Sequence, residues 1–195
     1  EVGGRVREPV LDVREAVEVA TAAGEGTRAE KLLERGVAIA RATSEGLATA
    51  LWTVSQLAER RRAAGDVPGA LRWLEVAVEA AYPEDAFGLG LELARAASQP
   101  GGDLEIAAST YEKLKERDPA DRQVWLPLLA VYRQIGDRKR LAAHVNSTID
   151  ALLDPADRNT VRMEYAKFLL EKKKDKEATA QLRDVLGEDP DHAEA

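Results

Sequence analysis

The chain has 195 residues, of which 45% are hydrophobic, 32% charged and 5% aromatic, and it carries a formal net charge of −7. This length allows one or two compact domains or one continuous helical array, and the negative charge argues against a dedicated nucleic-acid-binding protein, because such proteins need a basic surface. No cysteine is present, which excludes disulfides and thiolate metal sites.

The composition favours helices throughout the chain. Alanine, leucine, glutamate and arginine dominate, and these residues lose little free energy on entering a helix. The β-branched residues are scattered and do not alternate as they would in strands. We therefore expect an all-α fold. The chain has no apolar run long enough for a signal sequence or a membrane span, and we favour a cytoplasmic location while the compartment stays open. Its start at Glu1 indicates either a processed form or a piece of a longer protein, and we favour the piece.

Turn residues divide the chain into segments of helical periodicity. Residues 1–9 contain Gly3 and Gly4 but no apolar period, and we interpret them as a disordered leader or a remnant of cloning. From residue 10 onward, apolar residues recur at helical spacing, and we expect one helical repeat domain over residues 10–195. The breaks predict five helix pairs, at about 10–43, 45–82, 84–118, 121–153 and 157–189.

A pentapeptide and a proline spacing repeat along the chain. The letters DPADR at 118–122 return at 154–158, and we interpret Asp121 and Asp157 as the residues that cap the helices following each copy. The prolines at 83, 119, 155 and 190 lie 36, 36 and 35 residues apart. Such a period indicates a stack of similar helix pairs.

A Gly-Asp dipeptide separates the two helices in three of the pairs. These dipeptides begin at Gly65, Gly102 and Gly136. The glycine can end one helix in a left-handed conformation, and the aspartate can cap the next helix. The last pair has Lys173 and Lys174 in this place, which leaves the shape of its turn open.

Pro127 lies inside the helix that we expect to begin near Asp121. Proline cannot donate the helical hydrogen bond, and its ring clashes with the preceding turn. The sequence therefore predicts a kink or a late helix start at this point.

Trp125, Leu128 and Tyr132, followed by Gly136, resemble the first helix of a tetratricopeptide repeat (TPR), whose pattern is W-x2-L-G-x2-Y before a turn. Leu129 departs from this pattern, because the family usually has a small residue there. Three other segments resemble the second helix of the family, in which an alanine and, four positions later, an aromatic residue precede a proline. They contain Ala107, Tyr111 and Pro119, then Ala70 and Leu74, then Ala178, Leu182 and Pro190, with leucine in the aromatic place in the last two. The resemblance covers about residues 50–192.

The resemblance implies a right-handed α-α superhelix of about five antiparallel helix pairs, with a partner protein or peptide bound in the concave groove. Trp125, Tyr132, Tyr111 and Leu114 would then pack between helices. Some family members clamp a terminal carboxylate with lysine and asparagine, and that clamp is absent here. The groove positions in the family register are Trp52, Ser55, Glu59, Arg62, Glu92, Gln123, Leu126, Arg133, Lys167 and Glu171.

Two of these groove positions have an alternative interpretation. Trp52 can be interpreted equally well as an anchor for a partner in the groove or as an ordinary core residue. Arg62 belongs to the basic run 60–62, which, like the run 172–174, lies at the end of a first helix. Cations are favoured there by the helix dipole, so both runs also suit solvated helix ends.

The chain offers little catalytic chemistry. His144 and His192 are the only histidines, and they lie 48 residues apart without metal-ligand spacing. We expect His144 to be half-buried or exposed on a second helix, without a function of its own. The sequence contains no nucleophile elbow and no glycine-rich phosphate loop, so we expect no enzyme activity, no metal and no cofactor.

Two functions suit an array of this kind. One is a scaffold that binds a partner protein, and the other is a structural spacer, oligomerisation or regulatory segment of a larger protein. We expect neither nucleic acid nor a membrane as partner. The last helix carries apolar residues that no later element covers, which predicts either further repeats or a homodimer through the C-terminal helix pair. These residues are Ala178, Leu182, Val185 and Leu186.

Overall fold

The computed structural model describes residues 9–43 and 46–195. The leader expected at residues 1–9 lies outside this range except for Pro9, and so does residue 45, where the second predicted pair begins. The described part of the chain is helical with no strand, and helices make up 81% of it. The prediction of an all-α fold is therefore confirmed.

The helices fall into two units, Glu1–Asp103 and Leu104–Ala195. The first unit contains α1 (Pro9–Ala22), α2 (Gly26–Arg41), a short 3-10 helix (Gly46–Ala50), α3 (Leu51–Ala63), α4 (Val67–Ala80) and α5 (Pro83–Ala97). The second unit contains α6 (Leu104–Arg117), α7 (Arg122–Ile135), α8 (Arg138–Ala151), α9 (Pro155–Glu171) and α10 (Asp175–Glu188). Whether these helices form a single domain stays a prediction.

Two of the three Gly-Asp turns have the conformation that the sequence predicts. Gly65 and Gly136 have φ angles of +75° and +80°, which glycine adopts without the steric cost of a Cβ atom. The carboxylates of Asp66 and Asp137 accept hydrogen bonds from the backbone N–H of the third residue of the next helix, at 2.9 and 3.0 Å. Each turn therefore ends one helix and begins the next within three residues.

The third turn differs from the prediction. Gly101 has a φ of +82°, so Gly101 and not Gly102 takes the left-handed conformation. Gly102 has a different role, because a Cβ atom there would collide with the carbonyl oxygen of Ala97. In the last pair Lys173 has a φ of +57° and occupies the left-handed position without being a glycine.

The helix that follows each copy of DPADR begins at a different residue of the pentapeptide. In the first copy Asp121 caps α7 by accepting a hydrogen bond from the N–H of Gln123 at 2.7 Å. In the second copy α9 already begins at Pro155, and Asp154 is its cap. The prediction that Asp157 caps this helix is wrong, because Asp157 lies in the first turn of α9.

Pro127 does not delay the start of its helix. α7 begins at Arg122 and continues through Pro127 to Ile135, so the expectation of a late start is wrong. Pro127 has no backbone N–H to donate to the preceding turn, and the expected kink at this residue stays a prediction.

The core of the second unit forms around the residues that resemble the TPR pattern. Trp125, Tyr111 and Tyr132 are 0%, 1% and 3% exposed, and Leu114 is also buried. The indole N–H of Trp125 donates to the carbonyl oxygen of Ala120 at 3.2 Å, so its one polar group is satisfied. The expectation that these four side chains pack between helices is confirmed.

The last helix is better covered than the sequence predicts. Ala178 and Val185 are fully buried, and Ala178 packs in a cluster with Ala166 and Leu169 of α9. The expectation of a bare apolar face is therefore wrong for these two residues. Leu170 of α9 and Leu186 of α10 are 49% and 38% exposed, and the homodimer through this pair stays a prediction.

We predict that Trp125→Ala lowers the free energy of unfolding by about 3–5 kcal/mol, because truncation of a fully buried aromatic side chain leaves a cavity. Leu153→Ala is the control, since Leu153 is 92% exposed and its loss should cost less than about 0.5 kcal/mol. Urea denaturation of both variants measures the difference. Equal costs for the two would contradict the placement of Trp125 in the core.

We predict that Lys173→Gly raises the free energy of unfolding by about 0.5–1 kcal/mol. The left-handed conformation is strained for lysine and is free of strain for glycine. Lys172→Gly is the matched control, because Lys172 has a φ of −92° and gains nothing from glycine. Thermal and urea unfolding check both values, and a Lys173→Gly variant less stable than the parent would show that the turn has another conformation.

Candidate partner-binding groove

A groove of about 730 Å³ lies in the first unit, between α3 and α5 and above α4. Its floor comes from one face of α4, and its two walls come from α3 and α5. The floor is apolar, whereas the walls carry charged side chains along their edges. The lining residues are Ala58, Glu59, Arg62, Val67, Ala70, Leu71, Leu74, Gly88, Glu92, Arg95, Ala96 and Gln99.

Helical spacing and short loops bring these residues together. Glu59 and Arg62 lie three positions apart on α3, and Glu92 and Arg95 lie three positions apart on α5, so each pair shares a helix face. Three residues connect α3 to α4, and two connect α4 to α5. Such short connections make successive helices antiparallel, so α3 and α5 run in the same direction.

The two walls therefore present their charges in the same order. On each wall a glutamate precedes an arginine toward the C-terminal end of the helix. Glu59 and Arg62 form an ion pair with each other, and more than half of each side chain remains exposed. Exposed pairs of this kind contribute little to stability and stay available for another charged group.

Three of the ten residues expected in the groove line this cavity: Glu59, Arg62 and Glu92. Trp52 and Ser55 lie on the same helix and are half-buried, but neither lines it. Trp52 packs against the core of the first unit, and the guanidinium of Arg14 lies 5.5 Å from the centre of its ring. This position favours the core interpretation of Trp52.

The other five expected residues lie in the second unit. Arg133 and Glu171 line a smaller cavity of about 310 Å³. Arg133 binds Glu171 and Glu164, each at 2.9 Å, and Lys167 binds Glu164 at 3.0 Å. These charges form a network among themselves. Gln123 is exposed near the start of α7, and Leu126 is half-buried one turn further along.

The second unit also contains a cavity that we did not predict from the sequence. It measures about 750 Å³ and lies among α6, α7 and α8. Lys115 enters it from α6, and its Nζ atom lies 3.0 Å from Nδ1 of His144. The sequence did contain a signal for the burial of Lys115, because this residue follows Ala108 and Tyr111 at helical spacing and so falls on the buried face of α6.

His144 is 5% exposed, so the expectation of a half-buried or exposed histidine is wrong. The reason is that it shares a face of α8 with the buried residues Leu141, Val145 and Thr148. Its Nε2 lies 2.9 Å from the carbonyl oxygen of Trp125. A carbonyl can only accept, so Nε2 carries the proton and Nδ1 accepts from Lys115.

Burial changes the proton affinity of both groups in this contact. Desolvation lowers the pKa of His144 to about 4, and the nearby charge of Lys115 acts in the same direction. Desolvation also lowers the pKa of Lys115 to about 8. The histidine is therefore neutral at physiological pH, while the lysine titrates close to it.

A second polar group borders the same cavity. Tyr132 donates to Glu112, and burial, followed by this hydrogen bond, raises the pKa of Tyr132. The guanidinium of Arg140 lies 4.9 Å from the centre of the Tyr132 ring and binds Glu105 and Glu112 at 2.7 and 3.2 Å. Its hydrogen bond to Glu105 is the largest cause that raises the pKa of Arg140. Glu112 is thus engaged by both groups.

Two features are absent from the residues that the structure describes. No group of three or more histidine, aspartate or glutamate side chains within them is arranged to hold a metal ion. None of their helices combines the length and the apolar character needed to cross a membrane.

The fold is that of known TPR-like proteins. A kinesin light chain from Podosopora anserina with nearly identical TPR-like repeats is 20% identical, with a TM-score of 0.54, over 97% of this chain and 100% of that one. MamA of AMB-1 is 16% identical, with a TM-score of 0.54, over 95% and 94%. BtubC from P. vanneervenii is 15% identical, with a TM-score of 0.50, over 92% and 79%.

These similarities define the chain as a TPR-like helical-repeat protein in its fold. No protein-family model and no curated protein matches the sequence. Because the identities are low, the similarity extends to the fold and not to a partner. The resemblance that Trp125, Leu128 and Tyr132 suggest is confirmed at that level.

We predict that His144 makes the fold sensitive to mild acid. In the unfolded chain a histidine takes up a proton near pH 6.5, but in the folded chain His144 does so only near pH 4. Its stabilising contribution is therefore present above pH 6.5 and is lost as the pH falls from 6.5 to 4. The loss between pH 7 and pH 5 should be about 2 kcal/mol.

Urea denaturation of the parent and of His144→Gln at both pH values measures this contribution. Glutamine can still donate to the carbonyl of Trp125 but does not titrate. We expect the parent to lose about 2 kcal/mol more than the variant between pH 7 and pH 5. An identical pH dependence of the two proteins would contradict the buried neutral histidine.

Proposed function

We propose that the chain is a protein-binding scaffold and that the groove between α3 and α5 receives a segment of the partner protein. The observation that carries the proposal is the apolar floor of this groove between two charged walls. Leu71 and Leu74 belong to the floor, and an apolar side chain laid against them would leave water, which favours binding. Gly88 and Ala96 have small side chains on the α5 side of the groove, which leaves room for the backbone of the partner segment.

The order of charges on the walls defines the chemistry of the partner. Glu59 and Glu92 attract a basic residue, and Arg62 and Arg95 attract an acidic one. Because a helix rises about 1.5 Å per residue, the two sites on one wall lie roughly 4.5 Å apart along the groove. A helical segment with opposite charges three or four positions apart, beside an apolar stripe, matches this spacing.

The first unit is the better candidate for the main contact. In the second unit Arg133 and Lys167 already bind Glu164 and, for Arg133, also Glu171. The side chain of Arg133 is 26% exposed and that of Arg62 is 66% exposed, so a partner reaches the charge of Arg62 more easily. We propose that Arg133, Lys167 and Glu171 take part only in weaker contacts at the edge of a partner.

Peptide ligands selected from a displayed random library against the full chain test this function. We predict that Arg62→Glu combined with Arg95→Glu weakens the binding of the selected peptides about 10-fold or more, because two attractions become repulsions. Fluorescence polarisation measures the dissociation constants. The matched control is Arg72→Glu, which changes an exposed arginine on α4 outside the groove and should leave them unchanged.

A second comparison separates recognition from damage to the fold. Peptides in which each acidic residue is replaced by lysine should regain affinity for the Arg62→Glu and Arg95→Glu double variant, because the charges are complementary again. If no peptide is selected, or if the double variant binds as well as the parent, the groove is not a docking site. The spacer, oligomerisation or regulatory function would then be favoured.

A further inference from the structure

We propose that Lys115 is a modification site whose amine accepts a small acyl group from an activated acyl thioester. Lys115 lies on α6 in the second unit, and its side chain borders the cavity of about 750 Å³. This site has no part in the partner-binding groove of the first unit.

The amine of Lys115 has only neutral partners. Its Nζ atom lies 2.8 Å from the hydroxyl oxygens of both Ser147 and Thr148, 3.0 Å from Nδ1 of His144 and 3.4 Å from the carbonyl oxygen of His144. None of the ion pairs found among residues 9–43 and 46–195 includes Lys115. A half-buried ammonium without a carboxylate is costly, so burial favours the neutral amine.

The nearest charged groups do not stabilise the ammonium form of Lys115. Glu112, one turn earlier on α6, is bound by Tyr132 and Arg140. Arg140 is itself positive, so it repels an ammonium. Across from Lys115, His144 is neutral at physiological pH, because burial lowers its pKa to about 4. The remaining charged residues that line the cavity are Glu116 and Asp150.

The hydrogen bonds of the site tolerate loss of the lysine proton. Nδ1 of His144 can only accept, because Nε2 carries the ring proton for the carbonyl of Trp125. A neutral amine keeps two N–H groups and can still donate to His144 and to Thr148. The hydroxyl of Ser147 can rotate and need not accept from the amine. The lone pair that attacks an acyl carbon is then present without a buried group losing its partner.

The cavity offers space for a short acyl chain beside the amine. Much of its lining is apolar and comes from the loop after α6 and from α7 and α8, which suits the hydrocarbon part of an acyl group. These apolar residues are Pro119, Leu128, Ala143 and Ala151.

The reaction is an ordinary acyl transfer. The lone pair of Nζ attacks the thioester carbonyl carbon, a C–N bond forms and the C–S bond breaks. The thiolate leaves, and the proton lost by Nζ ends on that sulfur through solvent, so the products are an amide and a thiol. Neutral lysine is the nucleophile in such steps, which is why a lowered pKa of the amine increases its reactivity.

Acylation would change the contacts between α6 and α8. The amide formed has one N–H where the ammonium had three, so it cannot keep donating to His144, Ser147 and Thr148 together. The same modification removes a positive charge next to His144.

Trace labelling of the folded 195-residue chain with S-phenyl thioacetate tests the proposal, with site occupancy measured by peptide mass spectrometry from pH 6.5 to pH 10. Lys113 is the internal control, because it is exposed on the same helix two residues earlier. At pH 7.5 about a quarter of an amine with a pKa near 8 is neutral, against roughly one thousandth of an ordinary lysine. Burial and weaker basicity reduce this advantage, and we expect Lys115 to react about 10-fold faster than Lys113.

A variant distinguishes a reactive amine from an accessible one. Ser147→Asp, at an exposed position, places a carboxylate beside Nζ and should raise the pKa of Lys115. We expect labelling of Lys115 at pH 7.5 to fall at least 5-fold, while labelling of Lys113 stays the same. The proposal is overturned if Lys115 reacts no faster than Lys113, or if Ser147→Asp leaves the reactivity of Lys115 unchanged.

Discussion

The structure depends on close contact between helices that meet through small side chains. Ala29 and Ala40 of α2, and Ala94 and Ala97 of α5, are fully buried. At Gly36 of α2 even a Cβ atom would lie 2.9 Å from a methyl carbon of Thr53 and 3.1 Å from one of Val13. With only 5% aromatic residues, the chain gains its buried area by bringing backbones together and not by filling wide gaps.

This mode of packing also explains where function can arise. Where α3 and α5 rise on either side of α4, their small inner residues leave a groove, and the charges at its edge stay in water. Where α6, α7 and α8 meet, Lys115 and His144 lie in a less polar environment, which lowers the pKa of both groups. The groove thus presents exposed charges, whereas the cavity contains an amine that is partly neutral near pH 7.5.

Much of the fold was predictable from local signals. The Gly-Asp turns that begin at residues 65 and 136 were predictable, because a left-handed glycine and a capping aspartate act within a few residues of chain. The burial of Trp125 followed from its place in a repeated pattern. Of the expected groove residues, Glu59, Arg62 and Glu92 line one cavity, because they share helix faces that periodicity alone predicts.

Properties that depend on distant neighbours were not predictable. The letters DPADR carry the same local preferences in both copies, yet α7 begins after Asp121 and α9 begins after Asp154. Lys115 and His144 lie 29 residues apart, and their contact exists because α6 and α8 pack in one register. Helix periodicity, turns and caps can be predicted from residues that are close in the sequence, because the interactions that determine them act over a few residues. Which polar groups become buried together, and what proton affinity they then have, depends on the packing of whole helices.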